Sequence, residues 1–117
     1  MTVLAFLSDL MIRSKIEGAA RTTGAKLELV PPEVDAGEAV AKSGAALVIV
    51  DLGIKGVDSM DLIRAIRARC AVRIIAFGAH VDAVSLEAAH SAGADVALPR
   101  SAFFRDLPAL LREEGAG

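Results

Sequence analysis

The sequence predicts a single α/β domain built as a three-layer sandwich, in which a five-stranded parallel sheet carries helices on both faces. Short continuous apolar runs at 3–7, 46–50 and 73–77 are typical of strands that are covered on both sides. Segments with a helical spacing of apolar residues separate these runs. Strict alternation of strand and helix favours parallel strands that are joined by crossover helices.

The strand predictions rest on the length of each apolar run and on the residue that stops it. The run at 73–77 ends at Gly78, and weaker strand signals at 26–30 and 95–98 end at Pro31 and Pro99. Proline stops a strand because it has no N–H group to donate to a neighbouring strand. Together these runs predict five strands.

Five helical segments follow from apolar residues that recur every three or four positions. The defining positions and ranges are Ile12 with Ile16, 34–42, Leu62 with Ile63 and Ile66, Val84 with Ala88, and 107–112. Asp9 or Ser8 is placed to cap the first helix, and Asp58 is placed to cap the third. We expect one domain over 1–114 and a flexible tail over 115–117.

Composition and charge exclude several classes of function. The chain has 117 residues, 54% of them hydrophobic, and its net charge of -2 supplies no basic field for nucleic acid. The single cysteine, Cys70, can form neither an internal disulfide nor a zinc site, and no apolar run is long enough to span a membrane. These features predict a cytoplasmic protein that binds neither nucleic acid nor membrane.

Residues around the third predicted strand resemble a known family. The stretch 48–52, followed by Asp58 and a helical segment, is similar to the strand, phosphoacceptor aspartate and next helix of receiver domains in two-component signalling. The stretches 72–79 and 93–95 are similar to the fourth strand of that family and to its Gly-Ala-Asp before the fifth. The resemblance covers essentially the whole chain and implies a flavodoxin-like sheet of order 2-1-3-4-5. It also implies that Asp51 occupies the phosphoacceptor position.

The resemblance breaks down at the metal site. In receiver domains, two acidic residues at the end of the first strand hold magnesium together with the phosphoacceptor. Counting back from Arg13 in the first helix places Leu7 and Ser8 at those positions. Asp9 comes one position later and is expected to cap the helix. Because a hard divalent cation prefers carboxylate oxygens, we predict no magnesium site, and we predict no cofactor.

Other functional positions of the family have also changed. The Ser or Thr that hydrogen-bonds the phosphoryl group falls on Gly78, the switch aromatic falls on Ala97, and the lysine falls on Arg100. The resemblance places Asp51 and Arg100 in one strand-end cleft, where we predict a direct ion pair. The expected site-lining residues are Leu7, Ser8, Asp9, Gly53, Gly78, Ala79 and Arg100.

Several residues also have ordinary structural interpretations. Asp51 at a strand end can simply satisfy loop amides, and His80 before a helix is typical of a solvated turn residue. Arg64, Arg67 and Arg69 are expected on a solvated face. The adjacent Phe103 and Phe104, expected just before the last helix, leave open whether one is exposed as a partner contact.

Three functions remain open from the sequence. The leading hypothesis is a non-enzymatic signalling module that binds a protein partner, either a signalling protein or a histidine kinase, with a homodimer through the helix 4 to helix 5 side. The alternative is an atypical receiver that is phosphorylated on Asp51. A cofactor-binding flavodoxin-like protein is a weaker alternative, because no Gly-rich phosphate loop follows the first strand.

Overall fold

The computed structural model of the protein describes residues 1–31, 34–79 and 82–116. Strands and helices alternate along this part of the chain. The strands are β1 (Thr2–Phe6), β2 (Lys26–Leu29), β3 (Leu47–Asp51), β4 (Arg73–Gly78) and β5 (Val96–Pro99). The helices are α1 (Leu10–Thr23), α2 (Ala36–Ser43), α3 (Ser59–Arg69), α4 (Ala83–Ala92) and α5 (Arg100–Ala116). The five strands are parallel and lie in the order β2-β1-β3-β4-β5, which confirms the predicted sheet.

The sheet separates two hydrophobic layers, because neighbouring residues of a strand point to opposite faces. In β3, Val48 and Val50 belong to the layer formed with α2, α3 and α4, whereas Leu47 and Ile49 belong to the layer formed with α1 and α5. All four side chains are fully buried. The predicted three-layer arrangement is therefore confirmed.

Carboxylates cap the first and third helices as predicted. Asp9 Oδ1 accepts hydrogen bonds from two backbone N–H groups in the first turn of α1, at 2.8 and 3.2 Å, so Asp9 rather than Ser8 is the cap. Asp58 accepts the equivalent pair at the start of α3, at 2.9 and 3.2 Å. These caps satisfy donors that have no partner within the helix.

The last helix begins earlier than predicted. It starts at Arg100, directly after β5, and contains both Phe103 and Phe104, so the expected start at residue 107 is wrong. Phe103, Leu107 and Leu111 are spaced four apart, and all are buried against the sheet. This spacing indicates a helix that includes Phe103. Pro108 lies inside the helix, and proline is ordinarily disfavoured there, so it argued against the longer helix.

Candidate functional site

The carboxyl ends of three neighbouring strands meet at one edge of the sheet. Phe6 pairs with Val50, and Asp51 at the end of β3 pairs with Phe77 in β4. Ligands of doubly wound sheets bind at this edge. A cleft of about 280 Å³ opens there. Its lining includes Ser8, Asp9, Asp51, Gly53, Ala79 and Arg100.

The predicted site residues therefore divide into two groups. The six that line the cleft come together although they are separated in sequence by up to 92 positions, from Ser8 to Arg100. Leu7 instead packs against the core layer of α1 and α5, and Gly78 is buried at the end of β4. His80 lies outside the described residues. Lys55 also lines the cleft, and no sequence signal identified it, because a lysine in a polar loop is ordinarily solvated.

Asp51 is the buried acid of the site. It is 7% exposed, and its Oδ1 accepts a hydrogen bond from the Gly53 N–H at 2.8 Å. A Cβ atom at Gly53 would lie 3.3 Å from that oxygen. Because glycine has no Cβ atom, its backbone can lie close to the Asp51 carboxylate. Burial raises the pKa of Asp51 above its ordinary value, the Gly53 hydrogen bond opposes this, Asp9 raises the pKa further and Arg100 lowers it.

The direct ion pair predicted between Asp51 and Arg100 is wrong. Both residues belong to the described part of the chain, and no hydrogen bond or ion pair within 4.0 Å joins them. The Arg100 guanidinium lies over the Phe104 ring instead, 5.9 Å from its centroid. Residues four apart are neighbours on a helix surface, so the start of α5 at Arg100 directs this contact. Arg100 acts on Asp51 only as a charge at longer range.

The other polar groups at the end of β1 are already engaged. Asp9 caps α1, and Ser8 Oγ accepts a hydrogen bond from the Lys55 backbone N–H at 3.3 Å. Within residues 1–31, 34–79 and 82–116, no group of three His, Cys, Asp or Glu side chains is placed to hold a metal ion. The two carboxylates of the cleft, Asp9 and Asp51, do not form the three-acid set that the resemblance implies for magnesium.

An aromatic cluster lies beneath the cleft. Phe77 and Phe103 are stacked with centroids 4.2 Å apart, and Phe104 meets both rings edge-on. Phe103 is fully buried and Phe104 is half-buried, with Lys15 Nζ 5.0 Å from the Phe104 centroid. The question that the sequence left open is thus answered: Phe103 has no exposed surface, and the accessible part of Phe104 lies beside cationic side chains.

Comparisons with known proteins agree on the architecture. No protein-family model matches the sequence, and no curated protein matches it. A BeF3-activated N-terminal receiver domain from Klebsiella pneumoniae aligns with a TM-score of 0.85, at 19% identity over 97% of both chains. A response regulator from Thermotoga maritima aligns with a TM-score of 0.80, at 20% identity over 99% of this chain and 98% of that one. The fold is that of a receiver domain.

A third solved structure supports the same receiver fold. The signal receiver domain of a response regulator from Bermanella marisrubri aligns with a TM-score of 0.79, at 22% identity, over 96% of this chain and 95% of that one. Likeness at these identities establishes the receiver fold. What the site can do depends on its own residues, because one fold supports many functions.

Proposed function

We propose that the protein is a signalling interaction module, a receiver-like domain that retains the phosphoacceptor position but has lost metal-dependent phosphorylation. The residues around Asp51 support this proposal, because they lack the acids and the hydroxyl group that the resemblance implies. Leu7 packs into the core, Ser8 accepts a backbone hydrogen bond, and Gly78 offers no hydroxyl group. The remaining acid, Asp9, is occupied as a helix cap.

Electrostatics at the cleft support this proposal. Phosphoryl transfer requires cations that neutralise the phosphoryl oxygens while the nucleophile attacks. Here the negative charge of Asp9 acts unfavourably on ionised Asp51, as the direction of its pKa contribution shows. A phosphodonor would add more negative charge between these two acids. Arg100 and Lys55 line the cleft, but the carboxylate set that would hold a divalent ion is incomplete among the described residues.

In this proposal the domain acts by binding a protein partner, a signalling protein or a histidine kinase, and it catalyses no reaction of its own. The cytoplasm is the proposed location, because a single cysteine fits a reducing compartment. Among the described helices, none is both long enough and apolar enough to cross a bilayer.

We also propose a homodimer through the side formed by α4 and α5, which is where receiver domains commonly pair. Phe103 cannot contribute to it, since the ring is fully buried, and Val84 on α4 is an apolar side chain that is 73% exposed. Sedimentation is expected to show a dimer that Val84→Ser weakens. The matched control is Leu10→Ser on α1, where the side chain is 75% exposed. A monomeric wild type would remove the dimer proposal.

The experiment that tests the proposed function is incubation with acetyl phosphate and magnesium, followed by intact-mass spectrometry. We expect no phosphoryl adduct on the wild type or on Asp51→Asn. A stoichiometric adduct that forms on the wild type and is absent from Asp51→Asn would establish the alternative, a working atypical receiver. Visible absorbance of the purified protein would instead support the cofactor-binding alternative.

A further inference from the structure

Asp51 presents a partly unused carboxylate to the cleft. The side chain is 7% exposed, and the one hydrogen bond that it accepts from a described residue reaches Oδ1. Its second oxygen, Oδ2, accepts none from the described residues. A buried carboxylate without a direct cationic partner is unfavourable, and the charge of Asp9 adds negative charge nearby, which the more distant Arg100 offsets only in part. This end of the cleft therefore favours a cation that can donate hydrogen bonds.

Two cationic side chains line the same cleft without a carboxylate partner. Within the described ranges, neither the Arg100 guanidinium nor the Lys55 ammonium has an ion pair within 4.0 Å. Arg100 contacts the face of Phe104, which leaves guanidinium N–H groups available for an anion. The acids and bases thus share one cleft, yet they remain too far apart to neutralise each other directly.

We propose that this cleft binds a small zwitterion of amino-acid size, with its ammonium group on Asp51 and its carboxylate on Arg100 and Lys55. This rests on the proposed function, because it assigns a ligand to a cleft that phosphoryl transfer does not use. The cleft volume of about 280 Å³ suits a small molecule. A ligand with one charge is disfavoured: a lone cation leaves Arg100 unmatched, and a lone anion meets the Asp9 and Asp51 carboxylates.

A series of linear amino acids of increasing length tests the proposed ligand site directly. Glycine, β-alanine, γ-aminobutyrate and 5-aminovalerate carry the same two charges at increasing separation, so the best binder reports the distance between acid and base. Binding is followed by the amide NMR signals of Gly53 and Ala79, which line the cleft. Butylamine and butyrate, with one charge each, are the control probes. We expect saturable shifts with at least one zwitterion at up to about 10 mM and binding about tenfold weaker for the single-charge probes.

Variants of the full chain locate the binding site. Asp51→Asn and Arg100→Gln are each expected to weaken the best zwitterion by about tenfold, because each removes a charge-assisted hydrogen bond. The matched control is Arg105→Gln, also on α5, where the arginine pairs with Asp106 on the surface. No saturable binding by any member of the series, equal binding of the single-charge probes, or equal losses in all three variants would overturn the proposal.

The phosphorylation and binding experiments distinguish a failure of the proposed function from a failure of the proposed ligand site. A phosphoryl adduct on Asp51 overturns the proposed function whether or not the zwitterions bind. The absence of an adduct together with the absence of zwitterion binding supports the proposed function and overturns the ligand site. The absence of an adduct together with saturable binding that Asp51→Asn weakens supports both.

Discussion

At Asp51, burial outweighs every other influence on ionisation. The pKa is raised above its ordinary value of 3.8, so the folded chain keeps a proton at pH values where the unfolded chain has lost it. The stabilisation from this group is therefore fully present below pH 3.8 and is lost as the pH rises through the folded pKa. At neutral pH the ionised carboxylate lowers the free energy of unfolding.

Asp51→Asn tests this directly, because an amide has no charge to bury. We expect the variant to have a higher free energy of unfolding than the wild type at neutral pH. The advantage should shrink as the pH falls toward 3.8. Urea denaturation over a series of pH values measures the difference. A variant that loses stability relative to the wild type as the pH rises would contradict the assigned pKa direction.

Arg67 shows a residue role that the sequence did not reveal. It was expected on a solvated face, but its guanidinium donates to the carbonyl oxygens of Gly93, Cys70 and Val72, and it pairs with Asp95 at 2.8 Å. The solvated-face prediction is wrong for this residue. Its partners lie up to 28 positions away, and helical spacing within α3 carries no information about them.

Removing this side chain should therefore destabilise the fold. Arg67→Met keeps most of the aliphatic stem but removes the guanidinium that donates to three carbonyl oxygens and pairs with Asp95, which keeps only its hydrogen bond from the Ile74 N–H. We therefore expect a loss of about 2 kcal/mol in the free energy of unfolding. The control on the same helix is Arg64→Met, which breaks only the exposed pair with Asp61 and should cost less than about 0.5 kcal/mol. Equal losses in urea denaturation would contradict the structural role of Arg67.

At the scale of elements, apolar runs predicted the strands well. All five predicted strands are present within one residue at each end. The buried strands β1, β3 and β4 are nearly continuously apolar because both faces of the sheet are covered there. The edge strands β2 and β5 are partly exposed and gave the weaker sequence signals. The helix starts were less predictable. The chain enters α5 directly after Pro99, whose side chain has no oxygen that could cap the helix as Asp9 caps α1.

The packing of α2 against α3 depends on a glycine that no sequence pattern identified. A Cβ atom at Gly37 would lie 2.7 Å from the Ala65 carbonyl oxygen and 2.8 Å from Arg69 Cγ. Because the first neighbour is backbone, the two helices would have to move apart. We expect Gly37→Ala to lower the free energy of unfolding by about 1–3 kcal/mol, measured by urea denaturation.

The matched control is another helical glycine with open space around it. A Cβ atom at Gly18 in α1 would meet no other atom within 4 Å, so Gly18→Ala should raise stability by about 0.5–1 kcal/mol through the better helix propensity of alanine. If both substitutions change the free energy of unfolding in the same direction, close packing between α2 and α3 is not the cause of the change at Gly37.

For the whole molecule, the sequence pattern predicted the fold class and the edge at which the cleft forms, and the resemblance to receiver domains implied the order of the strands. It did not predict the contacts inside the cleft. Arg100 was assigned to Asp51 by analogy with a lysine, but its position in the first turn of α5 places it over Phe104. The contact that Arg100 makes depends on where α5 begins, and local sequence patterns predict the first residue of a helix poorly.

We propose that the missing carboxylates at the end of the first strand prevent phosphorylation of Asp51. The most direct test uses a variant that restores them, Leu7→Asp with Ser8→Asp. The variant and the wild type are incubated with acetyl phosphate and magnesium, and intact-mass spectrometry detects the adduct. Circular dichroism checks that the variant folds, and adding Asp51→Asn identifies the acceptor. We predict a phosphoryl adduct on the restored chain only, dependent on magnesium and lost with Asp51→Asn. An adduct on the wild type at the level of the restored chain would contradict the account.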